Sequence, residues 1–339
     1  MPPVKIVRTD RELECPTIDR VLRYKGAKLV LLPEGVSEEE LAREVADADL
    51  LLMCYTPITA KVINAATKLK AIVKYGVGID AIDIPAARAR QIPVVNIPEY
   101  AEETVAEGAF MLLIALAKKL LPISREMRRT GWAWPEQQWL GADIAGKTLG
   151  LVGVGRIGRS MARMAGAGFR ARVLGYDPYV PREVMTQHGV TKVDSLEEML
   201  PQCDYVSLHS VLNDGSRYLI GAQELELMKP SAFLVNVSRG ALVDEMALLA
   251  ALKAGKIAGC GLDVYSQEPL DHERHPLREL FAMDNVVLFP HLTFYTKEAM
   301  DRLEEDTLAR CFEALEGKPL LVRSKDPRLT GQTAGVRFS

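Results

Sequence analysis

The chain has 339 residues, which is too long for one ordinary hydrophobic core and predicts two domains. Hydrophobic residues make up 48% of it, and its net charge of −3 gives no electrostatic footprint for nucleic acid or an anionic membrane. Five scattered cysteines without a CxxC pair argue against a disulfide framework and a structural metal site. No apolar leader and no apolar run near 20 residues is visible, so the sequence predicts a cytoplasmic protein without membrane association.

The first hundred residues alternate short apolar segments with amphipathic segments. The predicted strands are 4–7, 28–32, 49–53, 70–74 and 92–95. The predicted helices between them are 11–24, 37–47, 59–67 and 81–90, and Ser37 with Glu40 is suited to begin the second. This alternation predicts a parallel sheet that is covered by helices on both faces.

A long helix is predicted at about 101–120, followed by a loop at 131–139 that holds all three tryptophans. The alternation then restarts, and six further strands are predicted at 147–152, 171–176, 204–208, 232–237, 259–264 and 285–289. Six parallel strands with crossover helices suit a doubly wound dinucleotide-binding fold. A second long helix is predicted to end near 317, and the polar tail after it lacks a core pattern and is predicted to be extended.

A glycine-rich loop follows the first strand of this second half. Gly153, Gly155 and Gly158 have the G-x-G-x-x-G spacing, between a predicted strand and a predicted helix. In that context the first glycine allows the tight turn, the second lets a pyrophosphate approach the backbone, and the third allows close helix packing. Asp177 ends the next strand, where its carboxylate can bond the hydroxyls of a ribose and repel a 2′-phosphate, which favours NAD over NADP. The alternative is that Asp177 only closes a turn.

The ends of the other strands carry polar residues that suit the reduction of a carbonyl beside a carboxylate. In chain order they are His209, Arg239, Asp263, Glu268 and His291. Because the carboxyl ends of parallel strands share one end of a sheet, we expect these side chains to converge. A guanidinium clamps a carboxylate, a histidine exchanges protons near neutral pH, and a carboxylate on the other ring nitrogen fixes the tautomer. Taken singly, each residue also fits a solvated loop or a local hydrogen bond at a strand end.

The segment KYGVGID follows the fourth strand of the first half. Its glycines, Gly76 and Gly78, are predicted to leave backbone N–H groups free to bind an anion. Tyr75, which precedes them, and Val77, which lies between them, are predicted to belong to the same substrate-binding segment. The alternative is a structural turn. Lys74 and Arg8 are the candidate cations for a phosphorylated substrate.

Several segments together resemble the D-isomer-specific 2-hydroxyacid dehydrogenases. They are KYGVGIDAID, NIPEYAEETVAEG, GKTLGLVGVGRIG, FLVNVSRGALVDE, GLDVYSQEP and the Pro-His pair at 290–291, and they span about residues 70 to 295 in the family's order. The resemblance implies an α/β protein with two doubly wound parallel sheets. It also implies that an NAD-binding Rossmann domain, 101–295, is inserted in a flavodoxin-like catalytic domain, 1–100 and 296–339.

The resemblance also implies roles for single residues. Arg239 binds the substrate, Glu268 orients the histidine and His291 is the general acid/base. The implied cofactor contacts are Thr104, Arg156, Ile157, Val237 and Asp263, in addition to Gly153, Gly155, Gly158, Asp177 and His209. The implied activity is hydride transfer between NAD(H) and a small 2-keto or D-2-hydroxy acid.

Family members pair through the nucleotide domain, so a homodimer is expected. The tryptophan loop at 131–139 either reaches the partner or packs within its own chain.

The chain departs from many relatives after the Pro-His pair. Bulky Phe294 and Tyr295 stand where small residues are common, so both are predicted to determine the identity of the substrate, and Phe294 is predicted to contact it. This segment is similar to the C-terminal-binding corepressors within the family. It therefore leaves an alternative function open: an NAD(H)-sensing, dimeric interaction protein with little turnover.

Overall fold

The apolar segments of the first hundred residues form the strands expected of them in the computed structural model, which describes residues 3–339. The strands are β1 (Lys5–Arg8), β2 (Lys28–Leu31), β3 (Leu50–Met53), β4 (Ala71–Lys74) and β5 (Val94–Asn96). All pairings are parallel, in the order β2-β1-β3-β4-β5. Every residue of β1, β3, β4 and β5 is buried, as expected for a parallel sheet that is covered on both faces.

Four helices connect these strands. They are α1 (Pro16–Tyr24), α2 (Glu38–Val45), α3 (Ala60–Ala65) and α4 (Ile84–Ala89). The predicted start of α2 is confirmed, because the Ser37 hydroxyl accepts a hydrogen bond from the Glu40 N–H at 3.2 Å. The strand order is that of flavodoxin-like sheets.

The next helical region differs from the prediction of one helix at 101–120. Two helices are present, α5 (Glu102–Ala117) and α6 (Leu120–Thr130), and Lys119 between them has a left-handed backbone with φ of 50°. Helix α6 was not predicted. Pro122 lies in its first turn, where a missing N–H costs no helical hydrogen bond.

The second sheet contains the six predicted strands and one more. Its strands are β6 (Thr148–Val152), β7 (Arg172–Tyr176), β8 (Thr191–Lys192), β9 (Tyr205–Leu208), β10 (Phe233–Asn236), β11 (Gly259–Leu262) and β12 (Val286–Leu288). All are parallel, in the order β12-β11-β10-β9-β6-β7-β8. The unpredicted β8 has two residues, too few for an apolar pattern. The order reverses between β6 and β9, where ligands bind in open α/β sheets.

The helices of this region are α7 (Arg156–Arg163), α8 (Arg182–Gln187), α9 (Leu196–Met199), α10 (Ala222–Leu227) and α11 (Glu245–Lys253). Helix α5 packs on β10, β11 and β12 through buried Ala and Leu side chains.

The last segment contains α12 (Lys297–Leu315), β13 (Leu320–Val322), α13 (Pro327–Thr330) and β14 (Val336–Phe338), with β13 and β14 paired in parallel. The tail was predicted to be extended, and instead it contains α13 and the short strand β14. Leu329 is fully buried, and the Gln332 amide exchanges hydrogen bonds of 2.7 and 2.9 Å with the Val94 backbone. The few buried residues of the tail, among them Val322, Leu329 and Gln332, are too widely spaced to leave a periodic pattern.

Contacts divide the chain into two compact units. The terminal unit is formed by residues up to Ala101 together with Thr296–Ser339, and the central unit is Glu102–Tyr295. Within residues 3–339, no helix combines the length and apolarity that a membrane crossing requires. All five cysteines are buried and unpaired.

Candidate active site

Three glycines at the junction of β6 and α7, the last of them inside the helix, meet three different steric demands. Gly153 has φ of 93°, and a Cβ there would lie 2.7 Å from the His209 and Ser210 backbones. A Cβ on Gly158 would lie 2.4 Å from the Gly153 carbonyl oxygen, so both positions require glycine. Gly155 faces open space, with no atom within 4 Å of an added Cβ. An open position beside the N-terminus of a helix is what a pyrophosphate needs, so the loop fits a dinucleotide.

Asp177 follows β7 and joins it to this loop. One carboxylate oxygen accepts a hydrogen bond from the Val154 N–H at 2.9 Å. The other accepts from the Tyr179 and Val180 N–H groups at 2.9 and 3.2 Å. Asp177 therefore closes a turn and also stands at the strand end predicted to meet a ribose.

Other predicted cofactor residues lie around the same loop. Arg156 begins α7, and its Nε lies 3.1 Å from a carboxylate oxygen of Glu102. Ile157 packs on the core next to it, and Thr104 and Val237 are buried.

His209 follows β9, and its ring nitrogen Nε2 lies 2.9 Å from the Ser207 hydroxyl. Burial lowers the pKa of His209 from 6.5 to about 4, so the ring is neutral at physiological pH. The backbone of His209, rather than its ring, is what packs against Gly153.

Three of the predicted residues follow three adjacent strands. Arg239 comes after β10, Glu268 after β11 and His291 after β12. His291 Nδ1 lies 2.8 Å from Glu268 Oε2, and both side chains are about 30% exposed, at 29% and 31%. Glu268 Oε1 accepts a hydrogen bond from the Tyr265 N–H at 2.8 Å. The histidine–carboxylate pair is therefore formed, and Arg239 is partly exposed at the same end of the sheet.

The environment of Glu268 keeps its carboxylate ionised. Burial acts to raise its pKa, but the hydrogen bond and positive charge of His291, the Tyr265 N–H and the charge of Arg239 together leave the pKa lowered. An ionised Glu268 can hold a proton on the facing ring nitrogen of His291 and support a positive imidazole.

The backbone of His291 is unusual and is held in place by Asp263. His291 has φ of 56°, a region that few residues other than glycine adopt. The fully buried Asp263 accepts hydrogen bonds from the N–H groups of Leu292 and Thr293 at 2.8 and 3.1 Å, and also from the Thr293 hydroxyl. A Cβ on Gly108 would lie 2.5 Å from that of Thr293, so α5 closely supports this segment. Burial raises the pKa of Asp263.

The bulky pair after His291 divides into a buried ring and an exposed one. Phe294 is 7% exposed, and its ring stands edge-on to the His291 ring with centroids 6.4 Å apart. Tyr295 is 44% exposed and packs against Phe294 at 5.9 Å. Phe294 therefore borders the imidazole.

The KYGVGID segment of the terminal unit corrects part of the prediction. Gly76 donates its N–H to the Lys74 carbonyl at 3.0 Å, so the expected cradle loses one of its two donors. The Tyr75 side chain is fully buried, with its hydroxyl donating to the Thr9 carbonyl at 2.5 Å. Val77 is 45% exposed and Gly78 partly so, which leaves the backbone of these two residues as the accessible part.

The candidate phosphate-binding cations are engaged within the terminal unit. Lys74 is 5% exposed and donates to the Cys54 carbonyl, with its Nζ 5.3 Å from the centre of the Tyr55 ring. Arg8 is 1% exposed and paired with Asp19 at 2.9 Å. Their burial contradicts a role for either in recognising a substrate phosphate.

Tyr265 and Glu245, for which the sequence predicted no role, brace the Glu268 segment. The Glu245 carboxylate accepts a hydrogen bond from the Ser266 N–H at 2.7 Å. The only signal in the sequence is that Glu245 comes shortly after Arg239. Among residues 3–339, no group of three or more His, Cys, Asp or Glu side chains is arranged to hold a metal ion.

Comparisons with known proteins identify the family. A family model for the NAD binding domain of D-isomer specific 2-hydroxyacid dehydrogenases matches residues 110–293. The chain is 40% identical to a D-3-phosphoglycerate dehydrogenase of Methanocaldococcus jannaschii, over 87% of this chain and 54% of that protein. It therefore spans about half the length of that relative. It is 42% identical to a glyoxylate reductase of Korarchaeum cryptofilum, over 79% of this chain and 80% of that protein.

A solved structure gives the same result for the fold. D-lactate dehydrogenase from Aquifex aeolicus, complexed with NAD and lactic acid, superposes with a TM-score of 0.82 at 28% identity, covering 92% of this chain and 96% of that one. The predicted fold and family are confirmed. The chain belongs to the D-isomer specific 2-hydroxyacid dehydrogenase family, and residues 110–293 match the family's domain for its cofactor, NAD.

Proposed function

We propose that this protein is an NAD-dependent oxidoreductase that transfers a hydride between NAD(H) and a small 2-keto or D-2-hydroxy acid. The observation that carries the proposal is the His291–Glu268 pair, 2.8 Å apart, at the same end of the sheet as Arg239. Bound NADH would supply the hydride, and the side chains would bind the substrate and move the proton.

His291 is the proposed general acid and base. Nδ1 donates to the ionised Glu268, and Nε2 is the nitrogen proposed to exchange a proton with the substrate oxygen. This tautomer is assigned from the carboxylate partner, which can only accept. Arg239 is proposed to clamp the substrate carboxylate and polarise the adjacent carbonyl.

The cofactor is proposed to lie along the glycine loop. Gly155 leaves room for the pyrophosphate, and the backbone at Arg156 and Ile157, at the start of α7, is placed to bind it. Asp177 is proposed to bind the adenosine ribose and to disfavour a 2′-phosphate by repulsion. Thr104, His209, Val237 and Asp263 are the remaining proposed neighbours of the cofactor.

The proposed cofactor-binding domain is 101–295, and the proposed catalytic domain is 1–100 with 296–339. Within the catalytic domain, the accessible backbone of Val77 and Gly78 is proposed to bind the substrate. Phe294 is proposed as a wall beside the substrate side chain, since its ring borders His291. The buried, reduced cysteines support a cytoplasmic location.

A homodimer is also proposed, on the basis of an exposed apolar surface of the central unit. Trp132, Trp134 and Leu140 are 59, 70 and 66% exposed, and Leu120 is 56% exposed. The Trp132 and Trp134 rings contact each other, with centroids 6.1 Å apart, and adjoining exposed apolar side chains mark interaction surfaces. Sedimentation of the wild type and of a Trp132→Ser, Trp134→Ser double variant tests this, and an unchanged sedimentation coefficient in the double variant would contradict it.

The activity is tested by NADH oxidation with glyoxylate, hydroxypyruvate, phosphohydroxypyruvate, pyruvate and bulkier 2-keto acids. We expect turnover on at least one of them, a D product by chiral analysis, and loss of turnover with retained NADH binding in Arg239→Ala. Tight NADH binding by the wild type with no turnover on any acid would contradict an enzyme and favour an interaction protein. The relatives reported above carry the names of enzymes, which favours turnover.

A further inference from the structure

The loop that carries Glu268 touches the loop that carries Arg239. Gly240 directly follows Arg239, and a Cβ on it would lie 1.9 Å from the Tyr265 carbonyl carbon and 2.1 Å from the Ser266 nitrogen. No side chain fits in such a gap, so the two backbones are in direct contact. Since Gly240 has no left-handed φ, the contact itself is what requires glycine at this position.

Tyr265 also contacts Glu268 and the segment that leads to His291. Its N–H donates to Glu268 Oε1 at 2.8 Å, and its hydroxyl lies 3.0 Å from the carbonyl of Phe289, two residues before His291. The same hydroxyl lies 3.1 Å from the Leu262 carbonyl at the end of β11. Tyr265 as a whole is 8% exposed, and its bond to the Leu262 carbonyl is buried.

The next residue, Ser266, is bonded to the start of α11. The Ser266 N–H donates to the Glu245 carboxylate at 2.7 Å, and Glu245 is the first residue of α11. The Tyr265–Ser266 peptide is thus fixed between Gly240 on one side and Glu245 on another.

We propose that Tyr265 is the positioning residue that sets the spacing between Arg239 and the His291–Glu268 pair. Tyr265 touches the Arg239 loop at Gly240 and donates its N–H to Glu268. Its hydroxyl bonds the segment that leads to His291. The inference rests on the proposed function, because it assigns to Tyr265 the alignment of the groups that bind and protonate the substrate. Alignment matters because a misplacement of about 1 Å can cost roughly a hundredfold in rate.

The first test removes only the hydroxyl. We expect Tyr265→Phe to lower kcat about tenfold, since one of the three contacts is lost, with an unchanged Kd for NADH. The matched control is Tyr205→Phe: Tyr205 lies in the same unit, is 2% exposed and donates to the Asp143 carbonyl at 2.8 Å, far along the chain from these loops. The control should lose similar thermal stability and keep wild-type kcat. Wild-type kcat in Tyr265→Phe, or equal losses in both variants, would overturn the proposal.

The second test forces the two loops apart. We expect Gly240→Ala to lower kcat/KM about a hundredfold, because the new methyl group cannot fit without a shift of about 1 Å or more. The control is Gly259→Ala, which places a Cβ 2.1 Å from the Asn285 carbonyl oxygen at the amino end of β11. Equal kcat/KM per folded molecule in the two variants would overturn the proposal. If Gly240→Ala does not fold, the comparison of Tyr265→Phe with Tyr205→Phe tests the proposal. Lack of turnover in the wild type would count against the proposed function itself, so the two failures are distinguishable.

Discussion

At the carboxyl end of the terminal unit's sheet, Arg8, Asp10 and Lys74 are 1, 2 and 5% exposed and are bonded to groups of their own unit. At the carboxyl end of the central unit's sheet, Glu268 and His291 form a pair that is about 30% exposed, beside a partly exposed Arg239. Both sheets are parallel and doubly wound, and both bring charged residues to the same end. A charged group whose bonds are all made inside the protein contributes to the fold, whereas one left partly exposed is available to a ligand.

The Asp10 carboxylate accepts several hydrogen bonds from within the terminal unit. One carboxylate oxygen accepts hydrogen bonds from the Cys54 and Tyr55 N–H groups at 2.8 and 3.0 Å. The other accepts from the Thr56 N–H and hydroxyl at 3.0 and 2.8 Å. The residue adopts φ of 53°, which Asp and Asn tolerate better than other side chains. Asp10 therefore fixes the turn after β3.

The largest effect is expected on the exposed pair. His291→Asn should lower kcat by about 10²- to 10⁴-fold, the usual contribution of a general acid or base. Asparagine suits the left-handed backbone at this position, so the melting temperature should change little. Steady-state kinetics and thermal unfolding measure the two quantities, and turnover within a few-fold of wild type would refute the assigned role.

A loss of stability is the main effect expected from replacing the buried carboxylate of Asp10. Asp10→Ala should lower the free energy of unfolding by about 3 kcal/mol or more, because three backbone N–H groups and a hydroxyl lose a buried acceptor. Asp10→Asn keeps one acceptor oxygen and the backbone preference, so it should cost less. Urea unfolding gives both values, and an alanine variant as stable as wild type would remove the distinction drawn between the two sheet ends.

A smaller effect is expected from His209, a titratable group of the central unit whose ring nitrogen Nδ1 is buried although the residue as a whole is partly exposed. Burial lowers its pKa from 6.5 to about 4, so the unfolded chain binds a proton there in a pH range where the folded chain does not. Stability from this site is complete above pH 6.5 and is lost as the pH falls toward 4. At pH 5 the loss is about 2 kcal/mol. His209→Gln should reduce the difference in urea midpoint between pH 8 and pH 5, and an identical difference in both proteins would contradict this account.

The smallest change is expected in the pH dependence of Glu268→Gln. The hydrogen bond and charge of His291 help to lower the pKa of Glu268, so in the wild type this carboxylate stays ionised until the pH falls below its ordinary range. Because the ionised carboxylate orients His291, kcat/KM of the wild type should fall at acid pH as Glu268 takes up a proton, and the glutamine variant, which cannot titrate there, should lack that fall. A pH profile of NADH oxidation by both proteins measures this acid limb. An identical acid limb in the two proteins would show that Glu268 does not produce it.

Much of the fold and of the candidate site followed from local patterns. Short apolar runs between amphipathic segments predicted eleven of the strands, and the glycine spacing predicted the loop at Gly153–Gly158. The convergence of Arg239, Glu268 and His291 was predictable because each follows a strand of one parallel sheet, whose carboxyl ends share one end by topology.

Other features depend on contacts between residues that are distant in the chain, which no local pattern reports. The burial of Lys74 against Cys54, the docking of Gln332 on β5 and the contacts of Tyr265 with Gly240 and Phe289 are of this kind. The sequence by itself determined which residues carry charge and at which strand ends they stand. Only the tertiary structure decided which of those charges are bonded inside and which are left exposed, because that depends on what the packed neighbours donate and accept.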